Sequence, residues 1–400
     1  MNIERIIDHQ LTNHFKKYRQ VLILLGARQV GKTTVIRRLF PDAKYFLMDN
    51  EDVQTLFEHY DISTYQRLIG RGPRTIVLDE AQRLFDPGRA AKIIYDQMPD
   101  VRLIITGSSA LNIKNKTAES LAGRKIDYQL YPLTFSEHLY QMGVQDTLNT
   151  TLYDHLLTDP EQDRNRSQLY PFDLPGLLAS SLIYGDYPHL LSEPSGSDYL
   201  KNLADSVVFQ DLLELNLVEN RTVARSLLKL LAFQIGNLVN YSDLSNRLGA
   251  DARTIQRYID IFEQSFLIYR LYPFSSNRRD EIGKTPKVYF HDLGLRNALI
   301  DDFSDIQLRN DRGALFENFI VNEALRGNDY GNHRYHLHYW RAQNTSEVDL
   351  VLQKVGELRG AEISFTAKSL SRAFTNRYSQ AKLKLITSNN FYASPSDWDK

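Results

Sequence analysis

The sequence contains no cysteine. That absence excludes disulfide staples and thiolate chemistry, and leaves carboxylates, hydroxyls, lysines and histidines as the reactive groups. Excess charge is lacking as well: 48 Lys and Arg stand against 49 Asp and Glu, a formal net charge of −1. A globally basic nucleic-acid coat is thereby excluded, and any nucleic-acid surface must be local. Long apolar runs are also missing. Met1 to Gln20 carries charges throughout and holds no apolar signal core. No window reaches the apolar length that a membrane helix needs. These absences read as a soluble cytoplasmic protein with no membrane partner. The 400 residues suffice for about two to four domains with ample core, and no internal repeat or low-complexity tract divides them.

What is present begins with the run Gly26, Ala27, Arg28, Gln29, Val30, Gly31, Lys32, Thr33. Five apolar residues, Val21 to Leu25, precede it, and a helix-like stretch from Thr34 to Phe40 follows. A buried strand, a glycine loop and a helix in that order make a phosphate-binding loop. The two glycines let successive backbone N–H groups face one anion, and the helix dipole adds positive potential. Lys32 can reach the β and γ phosphates of ATP, and the Thr33 hydroxyl can hold Mg²⁺. The nucleotide-binding set therefore runs from Gly26 through Thr34. A strand-to-helix turn without a ligand would not need Lys and Thr at these positions.

Thr75 to Glu80 is an apolar strand ending in two carboxylates. Beside a phosphate loop, Asp79 would bind the Mg²⁺ shell and Glu80 would orient or deprotonate the attacking water. A strand followed by a capped helix would use the same residues, since acids favour helix N-termini. Leu103 to Gly107 leads into Ser108 and Ser109, hydroxyls suited to sensing the γ phosphate or to capping a helix. Arg124 precedes a fifth strand. It can project toward a neighbouring subunit's nucleotide as a catalytic arginine, or simply complement a helix C-terminus. The strand candidates Lys44–Asp49, Thr75–Asp79, Arg102–Gly107 and Lys125–Leu130 alternate with helical segments, which implies parallel βαβ units and an α/β fold. Residues 1 to 20 read as an amphipathic helix carrying Ile3, Ile6, Ile7, Leu11 and Phe15.

The combination of these motifs with Tyr131 to Glu137, Tyr184 to Pro188, Lys287 to Leu295, and Trp340 through Asp349 resembles the AAA-type ATPases of bacteria and archaea that carry a C-terminal DUF4143 region. The resemblance implies an additional-strand P-loop fold, in which another strand separates the two Walker strands. It implies ATP and Mg²⁺ as cofactors and leaves the biological role open.

Ser242 to Leu248, a Gly249-Ala250 turn, and a helix from Asp251 to about Gln264 suggest a helix–turn–helix. Ile255, Tyr258, Ile259 and Phe262 form its apolar stripe, and Arg253, Thr254, Gln256 and Arg257 face the other way. Phe266–Tyr272 and Lys287–Phe290 would pair as a wing, with Arg278, Arg279 and Lys284 near its tip. From Tyr241 to Phe290, eight Lys and Arg oppose six Asp and Glu, a net of only +2. DNA contact through this module and a structural role as a lid are both open.

The C-terminal layout resembles the PD-(D/E)xK nuclease fold: a helix at Gly313–Glu323, then strands near Tyr335–Arg341, Ser346–Leu352 and Gly360–Phe365. In that fold Asp349 and Glu362 match two metal-binding carboxylates, with Glu317 a third acid. Ser364 stands at the lysine position, and Lys368 lies four residues on, in the following segment and away from the strand's inward face. An inactive core used for binding is the favoured expectation over an ATP-dependent nuclease. His333, His336 and His338 offer too few evident ligands for a metal site. The expected organisation is an ATPase domain at 1–140, a helical lid at 141–220, a winged helix at 221–290 and a nuclease-like domain at 291–400. Expected partners are ATP, DNA through the winged helix, further copies of the chain and a protein of unknown identity. The expected function is an ATP-hydrolysing switch or motor, with a nucleotide-gated binding module of little turnover as the alternative.

Overall fold

A computed structural model describes residues 3–70, 72–108, 120–143, 173–193, 196–206, 218–275, 285–342 and 346–392. The chain divides into two compact units, Met1–Leu133 with Ile261–Leu267, and Thr134–Asp260 with Ile268–Lys400. Among the described residues, no helix is long and apolar enough to cross a membrane.

In the first unit, β1 (Val21–Leu25), β2 (Lys44–Leu47), β3 (Arg74–Asp79), β4 (Val101–Gly107) and β5 (Lys125–Gln129) form one parallel sheet in the order β2-β3-β4-β1-β5. The expected intervening strand is β4, which lies between β1 and β3. Sequence and position agree. β1 is apolar and buried throughout, as a strand covered on both faces must be, whereas the edge strands β2 and β5 are partly exposed. Leu22, Ile23, Leu24, Ile76, Val77, Leu78, Ile104 and Ile105 have no solvent exposure. Each contributes about 1.5–3 kcal/mol by burial. Asn50, Asp61 and Asp86 cap the helices that follow them by accepting backbone N–H bonds. The N-terminal helix is shorter than its apolar pattern suggests, Asp8–Lys17, because the Asp8 carboxylate accepts the Arg5 N–H just ahead of it.

The second unit holds the helix pair Tyr241–Leu248 and Ala252–Asp260, the latter running on to Gln264, with Gly249 left-handed at the turn (φ 61°). The Asp251 carboxylate caps the second helix through the Arg253 and Thr254 N–H groups. β6 (Ile268–Leu271) and β7 (Lys287–Phe290) pair antiparallel, as a wing should; the tip residues Arg278, Arg279 and Lys284 lie outside the described residues. Beyond β6 the chain continues onto the next sheet. Phe274 N–H donates to Tyr339 O at 2.6 Å, and Tyr339 N–H donates to Tyr272 O at 3.1 Å.

That sheet comprises β8 (His336–Ala342), β9 (Ser346–Lys354), β10 (Glu357–Ser364) and β11 (Lys382–Thr387), ordered β11-β10-β9-β8. β8, β9 and β10 run antiparallel, while β10 and β11 are parallel across the short helix Ala373–Arg377. With the helix Arg312–Tyr330 ahead of it, this is the nuclease-like arrangement. That helix is buried on more than an apolar stripe. Asn318, Asn322, Glu323 and Arg326 are buried too, and Asn318 both accepts from Phe290 N–H and donates to Phe290 O at 2.9 Å.

The motif segments from the middle of the chain meet here. Arg326 Nη1 lies 3.0 Å from Asp186 Oδ2 and 3.2 Å from Glu323 Oε1, and its Nη2 donates to His291 O at 2.8 Å. Asp292 accepts the Asp186 N–H at 2.7 Å, and Glu323 accepts the Phe135 N–H at 3.1 Å. Gly294 passes so close to Tyr184 that a Cβ would lie 1.9 Å from its carbonyl oxygen. These motifs thus build a buried polar junction, which satisfies groups that would be costly to bury alone.

Candidate active site

The phosphate-binding loop hangs between the buried end of β1 and the helix Lys32–Leu39. Gly26 must be glycine, because a Cβ there would lie 2.2 Å from Leu130 O. Gln29 (φ 63°) and Gly31 (φ 97°) are left-handed, so the loop curls back on itself before the helix starts. No side chain caps that helix at Gly31, which leaves its first N–H groups to the loop's concave side. Ala27 and Val30 bury their side chains, Arg28 is half-buried, and Gln29 and Thr34 are exposed. The Val30 carbonyl is held by Arg5 Nη1 at 3.2 Å.

Lys32 is buried, and its Nζ donates to Gly26 O at 3.0 Å and Ala27 O at 2.9 Å. Thr33 Oγ1 donates to Asp79 Oδ2 at 2.9 Å. A hydroxyl and a carboxylate so placed are hard oxygen donors of the kind Mg²⁺ takes through one or two protein ligands. The other Asp79 oxygen accepts from Thr106 Oγ1 on β4. Next to it, Glu80 has a left-handed backbone (φ 56°), rare outside glycine, and its N–H donates to the same Thr106 hydroxyl at 3.4 Å. Gln82 Nε2 donates to the Glu80 carboxylate and, at 3.0 Å, to Ser108 Oγ. Five side chains from β3, β4 and their loops are thereby joined. Tyr45 on β2 lies close by: burial first, then the Asp79 carboxylate, push its phenol pKa up.

Sequence reasoning named Lys32, Thr33, Asp79, Glu80 and Ser108 but not Thr106 or Gln82. A buried threonine in an otherwise apolar strand was the available signal for Thr106; Gln82 had none. Ser109 lies outside the described residues. Arg124 sits at the entrance of β5, where its carbonyl accepts the Val21 N–H. This is the edge of the parallel sheet opposite the loop. Its guanidinium pairs with Asp96 at 3.0 Å, both side chains 37% exposed, away from the loop of its own sheet.

In the C-terminal sheet, Asp349 on β9 accepts the Ile363 N–H at 2.7 Å. Glu362 on β10 accepts the Ser371 N–H at 3.1 Å and pairs with Lys368 at 3.2 Å. The expectation that Lys368 falls off the inward face is corrected. β10 stops at Ser364, and the segment beyond it brings the Lys368 ammonium back to Glu362. Lys287, expected only as the first residue of a wing strand, faces Glu317 and Asp349. Burial lowers its ammonium pKa, but Glu317, Asp349 and Glu347 raise it further, for a net upward shift. Burial and the Glu317 charge raise the Asp349 carboxyl. His336 is exposed, and His338 stands edge-on to Phe274, with ring centroids 6.0 Å apart.

Three family models match the chain: an AAA domain over residues 18–139, a domain of unknown function (DUF8612) over 176–306, and a domain of unknown function (DUF4143) over 312–395. Among relatives, an uncharacterized protein of Haemophilus influenzae is 25% identical over 66% of this chain and 59% of its own length. One of Methanocaldococcus jannaschii is 24% identical over 73% and 64%, and one of Mycobacterium tuberculosis is 26% identical over 88% and 72%. The chain thus spans less than two thirds of the first two relatives. Among solved structures, a Walker-type ATPase of Pyrococcus abyssi aligns at 15% identity with a TM-score of 0.42, over 73% of this chain and 94% of that one. The AAA-domain and DUF4143 matches, joined to the loop and carboxylate geometry, support an AAA-type P-loop ATPase domain followed by a C-terminal DUF4143 region.

Proposed function

We propose that this chain binds ATP with Mg²⁺ and hydrolyses it, acting as a switch or motor. The observation that carries the reading is the Thr33–Asp79 hydrogen bond of 2.9 Å beside a buried Lys32 at the head of an uncapped helix. The N–H groups of Gly26–Thr34 would cradle the phosphates, and Lys32 would turn from the loop carbonyls to the β and γ oxygens. Thr33 and Asp79 would hold Mg²⁺, which when bound neutralises charge on the phosphate oxygens. Glu80 would orient the attacking water, Ser108 would report on the γ phosphate through Gln82, and Arg124 would reach a neighbouring copy. ATP turnover that survived both Lys32→Ala and Glu80→Gln would overturn this reading.

A second reading rests on the Gln82–Glu80 bond, which engages the general base. It is a nucleotide-gated binding module: tight ATP binding, negligible turnover, and partner affinity that changes with nucleotide. DNA is the candidate partner through the exposed Arg253, Gln256 and Arg257, although Arg257 also pairs with Glu219 at 3.0 Å. ATPase assays with and without duplex DNA, single-stranded DNA and RNA separate the two. Stimulation by one polymer favours the motor.

A further inference from the structure

Lys287 opens a strand whose other members, Val288, Tyr289 and Phe290, are buried. Its side chain is 6% exposed, and its Nζ faces three carboxylates from two other elements. Glu317 Oε1, on the helix Arg312–Tyr330, lies at 3.0 Å; Glu347 on β9 is in direct contact; Asp349 Oδ1, also on β9, lies at 3.7 Å. The Tyr339 ring covers the ammonium with its centroid at 5.6 Å, and the Tyr289 hydroxyl donates to the same Glu317 oxygen at 2.6 Å. Arg341 stands 3.8 Å from Glu347.

A nuclease-like core would use Asp349 and Glu362, with Glu317, to hold a divalent metal. The residues do not fit that group. One ammonium lies against Asp349 and Glu317, and a second, Lys368, lies against Glu362. Among the described residues, no three Asp, Glu or His side chains are placed to hold a metal ion. A divalent ion brought to the Asp349 side would face the positive charge of Lys287 in a poorly solvated setting, where repulsion is strong.

We infer that the Lys287 ammonium is the resident cation of this carboxylate set, so that the cation position of the nuclease-like core is filled from within by a residue of the wing and takes no divalent metal. The ammonium donates to Glu317 and Glu347 and pairs by charge alone with Asp349 at 3.7 Å. The arrangement latches β7 onto the helix and β9, and closes metal-dependent cleavage through these acids. It is independent of ATP hydrolysis at Gly26–Thr33.

Terbium luminescence tests it on the full chain without nucleotide, because Tb³⁺ takes oxygen ligands as Ca²⁺ does and nearby tyrosines sensitise it. The wild type and Asp349→Asn should give the same titration. Lys287→Met should reach half-saturation at about tenfold lower Tb³⁺, and Lys287→Met combined with Asp349→Asn should lose that gain. Should Lys287→Met not fold in metal-free buffer, millimolar Mn²⁺ or the added Asp349→Asn change should restore its circular dichroism. The inference is overturned if Asp349→Asn removes a signal from the wild type, if a folded Lys287→Met gains none, or if an unfolded one is rescued by neither route.

Discussion

In the P-loop unit, Lys32 rests on the main-chain oxygens of Gly26 and Ala27, and Asp79 is held by the hydroxyls of Thr33 and Thr106. In the C-terminal core, Lys287 meets Glu317, Glu347 and Asp349 directly, and Lys368 meets Glu362. Both sites hold a buried lysine together with carboxylates. In one, the partners are dipoles; in the other, they are opposite charges. Dipolar partners position a charge without cancelling it, so the proposed triphosphate and divalent cation would still gain from binding there. Charge partners cancel it, and at the second site an ammonium already holds the position a divalent ion would take.

The largest expected effect tests the open half of that contrast. Glu80→Gln should lower ATP turnover by about 10²–10⁴-fold, as loss of a general base does, whereas Asp349→Asn should leave it within about twofold. Steady-state phosphate release measures both, and equal losses would erase the distinction. Next comes the closed kind of site at its most buried. Arg326→Met strands Asp186 and Glu323, and should cost about 3–5 kcal/mol in urea unfolding. A loss below 1 kcal/mol would mean that water already reaches the junction.

A smaller effect concerns pH. Burial, then the Arg326 charge, hold His291 down at about 3. The unfolded chain protonates it near the ordinary value of 6.5, so acidification from 6.5 toward 3 favours unfolding, by about 1.4 kcal/mol per pH unit. Buried carboxyls such as Glu323, raised to about 8 chiefly by burial, act with the opposite sign as pH falls. The readout is therefore the difference between His291→Gln and the wild type: the variant's melting temperature should fall less between pH 6.5 and 4.5. Identical profiles would remove His291 from the account. Smallest of all, Arg124→Ala should cost under about 1 kcal/mol, since its pair with Asp96 is exposed. Slower turnover in that variant, with unchanged nucleotide affinity, would support a role toward a neighbouring copy.

The nucleotide site was legible because its chemistry is local. Eight consecutive residues make the loop, and Asp79 and Glu80 end an apolar strand, so composition and spacing carry the information. The strand between the two Walker strands followed from the family resemblance; the rest of the order came only with the structure. The Arg326 junction was not legible, since its partner Asp186 lies 140 residues away and is brought close only by packing. Lys287 was hidden for a related reason. Ser364 drew attention to a missing lysine on β10, while the cation that serves those acids arrives from a different hairpin. The place of Lys368 was not legible because β10 ends at Ser364 and only the path of the following segment brings the ammonium to Glu362.

The hydrogen bonds from Tyr272 and Phe274 to Tyr339 occupy part of the outer edge of β8. An uncovered strand edge is a template for pairing with another chain. A fragment begun at residue 291 would carry that edge bare, together with three acids deprived of their lysine, and should self-associate. Dissection of this protein into working parts should therefore cut ahead of Tyr241, so that the hairpin and the sheet it shields travel together.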